Sequence, residues 1–264
     1  MPKIKSNLGH NLKRMLIKYR LWSFIENIYE PVYVNLIRLS PAKRRYRQQM
    51  IDFYSNFIKE GDLCFDVGAH MGNRVEIFLR LGAKVIAIEP QEKCVNYLKK
   101  RFGNNPNFVL VEKGLADREG KLPLSICEEA NSISTFSEKW KEGRFSEYQW
   151  GSKKIVQVTT LDNLIKEFGM PVFCKIDVEG FETQVLRGLS SPIKCLSFEF
   201  TKEFFDEAKV CLDYLISLGY SLFNYDIYES MNLQFPEWVM VEELIGEIEK
   251  SKNQLLGGDI YAKI

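Results

Sequence analysis

Asp66 and Glu89 lie where two successive apolar stretches end, at the spacing of a nucleotide-binding βαβ unit. A turn containing Gly68 and Gly72 follows the first stretch, and a segment of helical pattern leads to the second. Glycine allows the backbone to turn sharply at the end of a strand and allows a ligand to come close. An acid at the end of the second strand is placed to accept hydrogen bonds from a ribose diol. The spacing therefore predicts a nucleotide site; the alternative is an ordinary βα turn that binds nothing.

The composition of this turn distinguishes between nucleotides. A dinucleotide-binding turn reads G-x-G-x-x-G and seats a pyrophosphate on the helix N-terminus, whereas this turn reads Gly68-Ala69-His70-Met71-Gly72, with His70 at the middle glycine. Asp66, two residues before the turn, would repel a pyrophosphate and attract an ammonium group. S-adenosylmethionine carries a ribose diol and an α-ammonium group and has no phosphate. Together with Glu89-Pro90 at the next strand end, the turn favours S-adenosylmethionine over NAD.

A second group of acids follows the later apolar stretches. Asp177 ends residues 172–177, Glu179 lies two residues further on, and Glu199 lies near the end of residues 194–200. Ligands of open α/β sheets bind beyond the carboxyl ends of the strands, so these carboxylates are predicted to meet at one site. A carboxylate whose pKa is raised in a partly dry pocket can accept a proton, which makes Asp177 the first candidate for a catalytic base and Glu199 the second. Alternatively, the three carboxylates hold a divalent cation such as Mg²⁺.

Charge and cysteine content exclude several classes of protein. The 264 residues carry a net charge of +1, but residues 1–47 contain eleven basic and only two acidic residues. Six cysteines without a C-x-x-C pair, together with only two histidines, argue against a zinc site. The cysteines fit a reducing cytoplasm. The N-terminus does not have the pattern of a signal peptide, and no apolar run is long enough to span a bilayer.

The alternation of apolar strands and helical patterns predicts the elements that position these residues. Strands are predicted at 62–67, 84–89, 108–111, 172–177, 194–200, 220–226 and 258–264. Helices are predicted at 43–59, 73–81, 91–102, 160–168, 180–188 and 202–218. This pattern indicates an α/β fold with a mainly parallel seven-stranded sheet and helices on both faces, in which the last strand runs antiparallel beside 220–226. Residues 125–150 are predicted to form an irregular loop over the site. The predicted domains are a basic helical extension, 1–59, and a catalytic domain, 60–264.

Five motifs occur in an order typical of one family. They are residues 65–72, Ala87-Ile88-Glu89-Pro90, Thr160-Leu161-Asp162, residues 175–188 and Ser197-Phe198-Glu199-Phe200. Over about residues 60–264 they resemble the FkbM-type family of S-adenosylmethionine-dependent methyltransferases. The resemblance implies a Rossmann-like class I methyltransferase fold. It also implies methyl transfer, usually to oxygen, on small molecules, lipids or sugars.

The resemblance also assigns cofactor-binding residues. It implies that the Asp66 turn, which includes Gly68, Ala69 and Gly72, shapes the methionine side of the pocket and that Asp177 lies beside it. It implies that Glu89, beside Pro90, holds the ribose hydroxyls and that the turn after the third strand contacts adenine through Leu115 and Ala116. His70 departs from the family pattern, in which asparagine is more usual.

The sequence leads to a functional expectation with open alternatives. We expect O-methylation of a hydroxyl on a saccharide, glycolipid or related small molecule, with N-methylation or a non-catalytic cofactor-binding scaffold as alternatives. The basic segment 1–47 has apolar positions at helical spacing over residues 8–37. It is interpreted as a helical cap or as a peripheral contact with an anionic membrane; nucleic acid is not an expected partner. The predicted location is the cytoplasm, with the inner membrane face as the alternative.

Overall fold

The computed structural model describes residues 41–127 and 130–264. The helical spacing of residues 8–37 and most of the basic segment 1–47 lie outside the described residues. Within the described ranges, no helix combines the length and hydropathy that a bilayer crossing requires.

The described part of the chain contains ten strands in two sheets. The strands are β1 (Leu63–Val67), β2 (Lys84–Ile88), β3 (Phe108–Val111), β4 (Gly114–Leu115), β5 (Gly120–Cys127), β6 (Trp150–Thr159), β7 (Phe173–Ile176), β8 (Cys195–Thr201), β9 (Leu222–Tyr225) and β10 (Gly257–Lys263). All seven predicted strands are present, and each belongs to the larger sheet.

The larger sheet has the strand order β3-β2-β1-β7-β8-β10-β9. The neighbours from β3 to β8 pair in parallel, whereas β10 pairs antiparallel with both β8 and β9. The sheet is therefore mixed, and the predicted antiparallel pairing of the last strand with residues 220–226 is confirmed. The chain runs outward from β1 in two directions, toward β2 and toward β7, so a crevice forms beyond the carboxyl ends of these strands.

Seven helices lie in the described residues. They are α1 (Pro41–Tyr54), α2 (Asn73–Arg80), α3 (Glu92–Phe102), α4 (Leu161–Phe168), α5 (Glu182–Arg187), α6 (Phe205–Ser217) and α7 (Val241–Lys250). Side chains alternate between the faces of a strand, so Cys64 packs with α1 to α3 and Phe65 packs with α4 to α7. Helices thus cover both faces. The sequence analysis missed α7, and the helix predicted at 43–59 ends at Tyr54.

A smaller three-stranded sheet was not predicted. Its order is β4-β6-β5, and β5 pairs antiparallel with β6. Residues 125–150, predicted as an irregular loop, therefore include the end of β5 and the first residue of β6. Between them lie short 3₁₀ turns at Asn131–Ile133, Lys139–Lys141 and Gly143–Phe145.

Helix α1 belongs to the same core as the sheet. Phe53 packs edge-on against Tyr261 of β10, and Phe57 stacks on Phe173 of β7. Burying aromatic side chains of this size contributes about 1.5–3 kcal/mol each. Residues 41–59 thus pack on the sheet, while the domain boundary at residue 60 stays a prediction. All six cysteines are buried.

Candidate active site

Gly68 brings the ends of β1 and β7 into contact. A Cβ atom at this glycine would lie 1.8 Å from the carbonyl oxygen of Asp177, and its φ of +81° is left-handed. The amide of Asp177 donates to the carbonyl of Val67 at 2.9 Å. Only glycine fits both the conformation and the close approach. Asp66 and Asp177 consequently lie at the same edge of the sheet.

Glu89 joins the turns that follow β1 and β2. The His70 amide donates to its Oε2 atom and the Gln91 amide to its Oε1 atom, both at 2.8 Å. His70 has a φ of +46°, and this left-handed conformation accompanies the hydrogen bond from its backbone amide to Glu89. Each carboxylate oxygen retains a second lone pair that can accept from a diol. Burial raises the pKa of Glu89 to about 7.

Two cavities open at this edge and meet at the end of β7. The β2 cavity, of about 50 Å³, is lined by residues that include Gly68, His70, Glu89, Pro90, Leu115, Phe136, Asp177 and Glu179. The β1 cavity, of about 250 Å³, is lined by residues that include Asp66, Gly68, Ala69, His70, Arg74, Asp177, Glu179, Glu199 and Glu229.

A larger cavity, of about 740 Å³, lies at the opposite edge of the sheet, where β7 and β8 begin. Its titratable side chains are Asp52, Lys194, Cys195 and Lys263. Ligands of open α/β sheets bind at the carboxyl ends of the strands, and the grouped carboxylates lie there. The chemistry is therefore assigned to the two smaller cavities.

Two predicted cofactor residues line neither cavity. Ala116 is buried behind Leu115 and donates its amide to the carbonyl of Thr159. Gly72 precedes α2 with a φ of +73°, and a Cβ atom there would lie 2.6–2.7 Å from the rings and methyl groups of Phe102 and Leu98. Both residues therefore pack behind the residues that line the cavities.

Three predicted catalytic acids converge in the β1 cavity. Asp177, Glu179 and Glu199 each have a carboxylate oxygen within 4.8 Å of the others. Buried Lys175 donates to Asp177 at 3.2 Å and to Asp259 at 2.7 Å. Burial pushes the pKa of Asp177 upward, but Lys175, Arg74 and a hydrogen bond with Glu199 together hold that pKa below its usual value, so the expected rise of this pKa is wrong. Burial and neighbouring carboxylates raise the pKa values of Glu179 and Glu199 well above theirs.

The backbone after β7 is fixed by its neighbours. Glu179 has a φ of +57°, and its carbonyl accepts a hydrogen bond from the Thr135 hydroxyl at 2.6 Å. Glu182 accepts from the amides of Val178 and Gly180 at 3.2 Å each, so its carboxylate holds the turn together. These contacts aim Glu179 into the site and leave Glu182 as part of the turn's framework.

Asp66 lines the β1 cavity and has one unmatched carboxylate oxygen. It is only 2% exposed, and its Oδ2 atom has no hydrogen-bond partner among the described residues. Burial raises its pKa to about 7 although Arg74 and Lys175 oppose the shift. Buried polar atoms in native proteins nearly always have a partner. The residues therefore fit a ligand with a donor at this position.

Sequence reasoning missed several residues of the site. Arg74 donates to Glu229 at 2.6 Å and to the Tyr54 hydroxyl at 3.0 Å, and Asp259 faces Lys175 from β10. The sequence did indicate that Lys175 has a buried partner, because a charge inside an apolar strand needs one. Its partner Asp259 is 84 residues away, and such a pairing exists only in the fold.

The sequence profile described as "Methyltransferase FkbM domain" matches residues 66–222. The chain belongs to the FkbM methyltransferase family. A curated relative, the hexuronic acid methyltransferase AglP of Haloferax volcanii, is 27% identical over 157 residues. This match covers 58% of the present chain and 61% of AglP. The chain therefore spans about three fifths of the length of that relative.

Solved structures of methyltransferases resemble this member of the FkbM family weakly. The precorrin-6Y C5,15-methyltransferase of Geobacter metallireducens has a TM-score of 0.42 and 11% identity, covering 83% of this chain and 88% of its own. Fibrillarin of Aeropyrum pernix, in complex with S-adenosyl-L-methionine, has a TM-score of 0.41 and 8% identity, covering 78% and 68%.

Proposed function

We propose that this methyltransferase uses S-adenosylmethionine and transfers the methyl group to a hydroxyl of a saccharide or related small molecule. The observation that carries the proposal is the pair of cavities meeting at Asp177, with the carboxylate of Glu89 at one end and the unmatched Asp66 at the other. Membership of the family supports methyl transfer. The hexuronic acid named for the relative supports a sugar acceptor.

The residues around the two cavities would hold the cofactor in one orientation. Glu89 would accept from the ribose hydroxyls, with Pro90 and Leu115 beside the base. Asp66 would accept from the α-ammonium group, and the turn at 68–70 would follow the methionine chain. Bound there, S-adenosylmethionine supplies an activated methyl group on a sulfonium. The β2 cavity is smaller than a typical ligand pocket, so residues 132–136 must move apart to admit a nucleoside.

The three acids divide the proton chemistry between them. Asp177 is the carboxylate kept ionised, because Lys175 balances its charge. It would accept the proton of the acceptor hydroxyl, while Glu199 and Glu179 hold protons and position the acceptor. Glu199 is the second candidate for the base. Placing the hydroxyl in line with the methyl group contributes as much as proton removal does.

A divalent cation is the alternative use of the same acids. Asp177, Glu179 and Glu199 offer oxygen ligands at suitable mutual distances, and Mg²⁺ prefers such ligands. However, the ammonium of Lys175 already supplies positive charge 3.2 Å from Asp177, which favours the base. Loss of turnover with a chelator and recovery with Mg²⁺ would reverse this preference.

Calorimetry and a methyl-transfer screen test the proposal. We expect S-adenosylhomocysteine to bind and NAD not to bind. Labelled S-adenosylmethionine should then transfer its methyl group to a glycan fraction, with alkali-labile methyl esters and N-methyl products measured separately. NAD binding without any response to S-adenosylhomocysteine would overturn the cofactor; binding without turnover on any acceptor would favour the scaffold. The cytoplasmic location stays a prediction.

A further inference from the structure

Arg74 is the one lysine or arginine among the described residues that line the β1 cavity. It is the second residue of α2, and only 7% of it is exposed. Asp66 lines the same cavity, and its Oδ2 atom has no hydrogen-bond partner among the described residues. One cavity thus contains a buried carboxyl group and a buried guanidinium. These two groups are complementary to the ammonium and the carboxylate of an α-amino acid. A guanidinium binds a carboxylate through paired, charge-assisted hydrogen bonds.

The partner that Arg74 has in this structure comes from a surface loop. The Arg74 Nη2 atom lies 2.6 Å from Oε1 of Glu229, whose side chain is 51% exposed. Tyr228, Glu229 and Met231 all have left-handed φ values, between 51° and 57°. Non-glycine residues adopt this conformation at an energetic cost, and such strain concentrates at ligand clamps and switches. The loop thus delivers a half-exposed carboxylate to a buried cation.

We propose that Arg74 binds the α-carboxylate of the cofactor while Asp66 binds its ammonium group, and that Glu229 occupies the carboxylate position until the cofactor arrives. This inference rests on the proposed cofactor and adds its amino-acid subsite. The ligand carboxylate replaces that of Glu229, so the Glu229 side chain is released and its part of the 226–231 loop loses one anchor when the subsite fills. Tyr46, which donates to the Glu229 carboxylate and carbonyl at 3.2 Å, loses the carboxylate as an acceptor in the same step.

Two ligands that differ at the amino-acid end test the subsite. S-adenosylhomocysteine has the α-carboxylate and α-ammonium groups, and 5′-methylthioadenosine has neither. We expect Arg74→Gln to weaken binding of the first by about 10- to 100-fold, the loss of a charge-assisted pair, and to leave the second unchanged. Glu229→Gln should tighten the first by about 3- to 10-fold, because a neutral amide competes less well for the guanidinium. Arg80→Gln, in the exposed last turn of α2, is the matched control.

Hydrogen exchange of the 226–231 loop gives a readout that does not depend on turnover. S-adenosylhomocysteine should speed exchange there in the wild-type protein, and 5′-methylthioadenosine should not. Absence of binding by both ligands would overturn the cofactor proposal and this inference together. An unchanged preference between the ligands in Arg74→Gln would overturn this inference alone. If that variant does not fold, Glu229→Gln decides: unchanged or weaker binding of S-adenosylhomocysteine would overturn it.

Discussion

Both carboxylate oxygens of Glu89 accept backbone amides and would also have to accept the ribose diol. We predict that Glu89→Gln weakens the binding of S-adenosylhomocysteine by about 1–3 kcal/mol. The amide supplies one acceptor oxygen, whereas the carboxylate supplies two. Titration calorimetry measures this directly. Glu92→Gln, at an exposed position three residues on, should bind normally. Equal affinities of the two variants would remove Glu89 from the ribose site.

Asp177 is distinguished from its neighbours by its ammonium partner. We predict that Asp177→Asn lowers turnover by about 10²- to 10⁴-fold, the usual loss of a general base, and changes cofactor affinity far less. Single-turnover rates and calorimetry separate the two effects. Asp213→Asn, exposed on α6, is the control for the substitution itself. A near-normal rate in Asp177→Asn would shift the base to Glu199.

The raised pKa of Asp66 predicts opposite pH dependences for stability and binding. Its ordinary value is 3.8, and burial raises its pKa to about 7 in the folded protein. The folded state therefore holds the proton more tightly, so the free energy of unfolding falls as pH rises from about 4 to about 7. An ammonium ligand needs the ionised form, so S-adenosylhomocysteine should bind more tightly as pH rises from 6 to 8. Asp66→Asn should make both the free energy of unfolding and the ligand affinity depend less on pH, and the dependence that remains is assigned to Glu89. Profiles identical to those of the wild-type protein would contradict the assignment to Asp66.

Thr135 links the smaller sheet to the turn after β7. Its hydroxyl donates to the Glu179 carbonyl at 2.6 Å and accepts the Ser137 amide at 2.8 Å, and the side chain is fully buried. We predict that Thr135→Val costs about 1–3 kcal/mol in the free energy of unfolding, because two buried polar groups lose their partner. Urea denaturation measures it. Ser146→Ala, exposed in the same insertion, should change stability by less than about 0.5 kcal/mol. Equal changes in the free energy of unfolding for the two variants would mean that the hydrogen bonds of Thr135 do not stabilise the fold.

The elements that were predicted and those that were missed differ in how local their signals are. The β2 strand contains a continuous apolar run, Val85-Ile86-Ala87-Ile88, which is the pattern of a strand buried on both faces. The β6 strand contains Lys153, Lys154 and glycine and is exposed at residues 151, 153–155 and 157, so its pattern was not recognised as a strand. Helix α7 did carry a signal, apolar residues at Val241, Leu244 and Ile248. The acids of the site were predicted because each lies near or just beyond the carboxyl end of its strand.

The cationic half of the site depends on the whole fold. Arg74 meets Glu229, 155 residues away, and both lie over α1 through the hydroxyls of Tyr54 and Tyr46. No local pattern in the sequence marks Glu229, because a single glutamate in a polar loop is usually solvated. Helix α1, the larger sheet and the 226–231 loop therefore form one unit around the β1 cavity.

The packing of α1 determines how the basic N-terminus should be tested. Arg47 lies 3.2 Å from Glu76 of α2, and Phe53 and Tyr54 are buried. Removing residues 1–47 would cut into this helix and remove the Tyr46 contact with Glu229. Removing residues 1–40 spares both and still deletes seven of the eleven basic residues before position 48.

We predict weak, salt-sensitive binding of the full chain to anionic vesicles, lost when residues 1–40 are removed. Basic residues near an anionic surface contribute up to about 1 kcal/mol each. Salt should weaken the contact, because charges are screened beyond about 8–10 Å at physiological ionic strength. Cosedimentation at two salt concentrations measures binding, and S-adenosylhomocysteine affinity shows whether the shortened protein is folded. Equal cosedimentation of the two proteins would rule out membrane contact by this segment, and a shortened protein that does not fold would identify the segment as a cap on the catalytic domain.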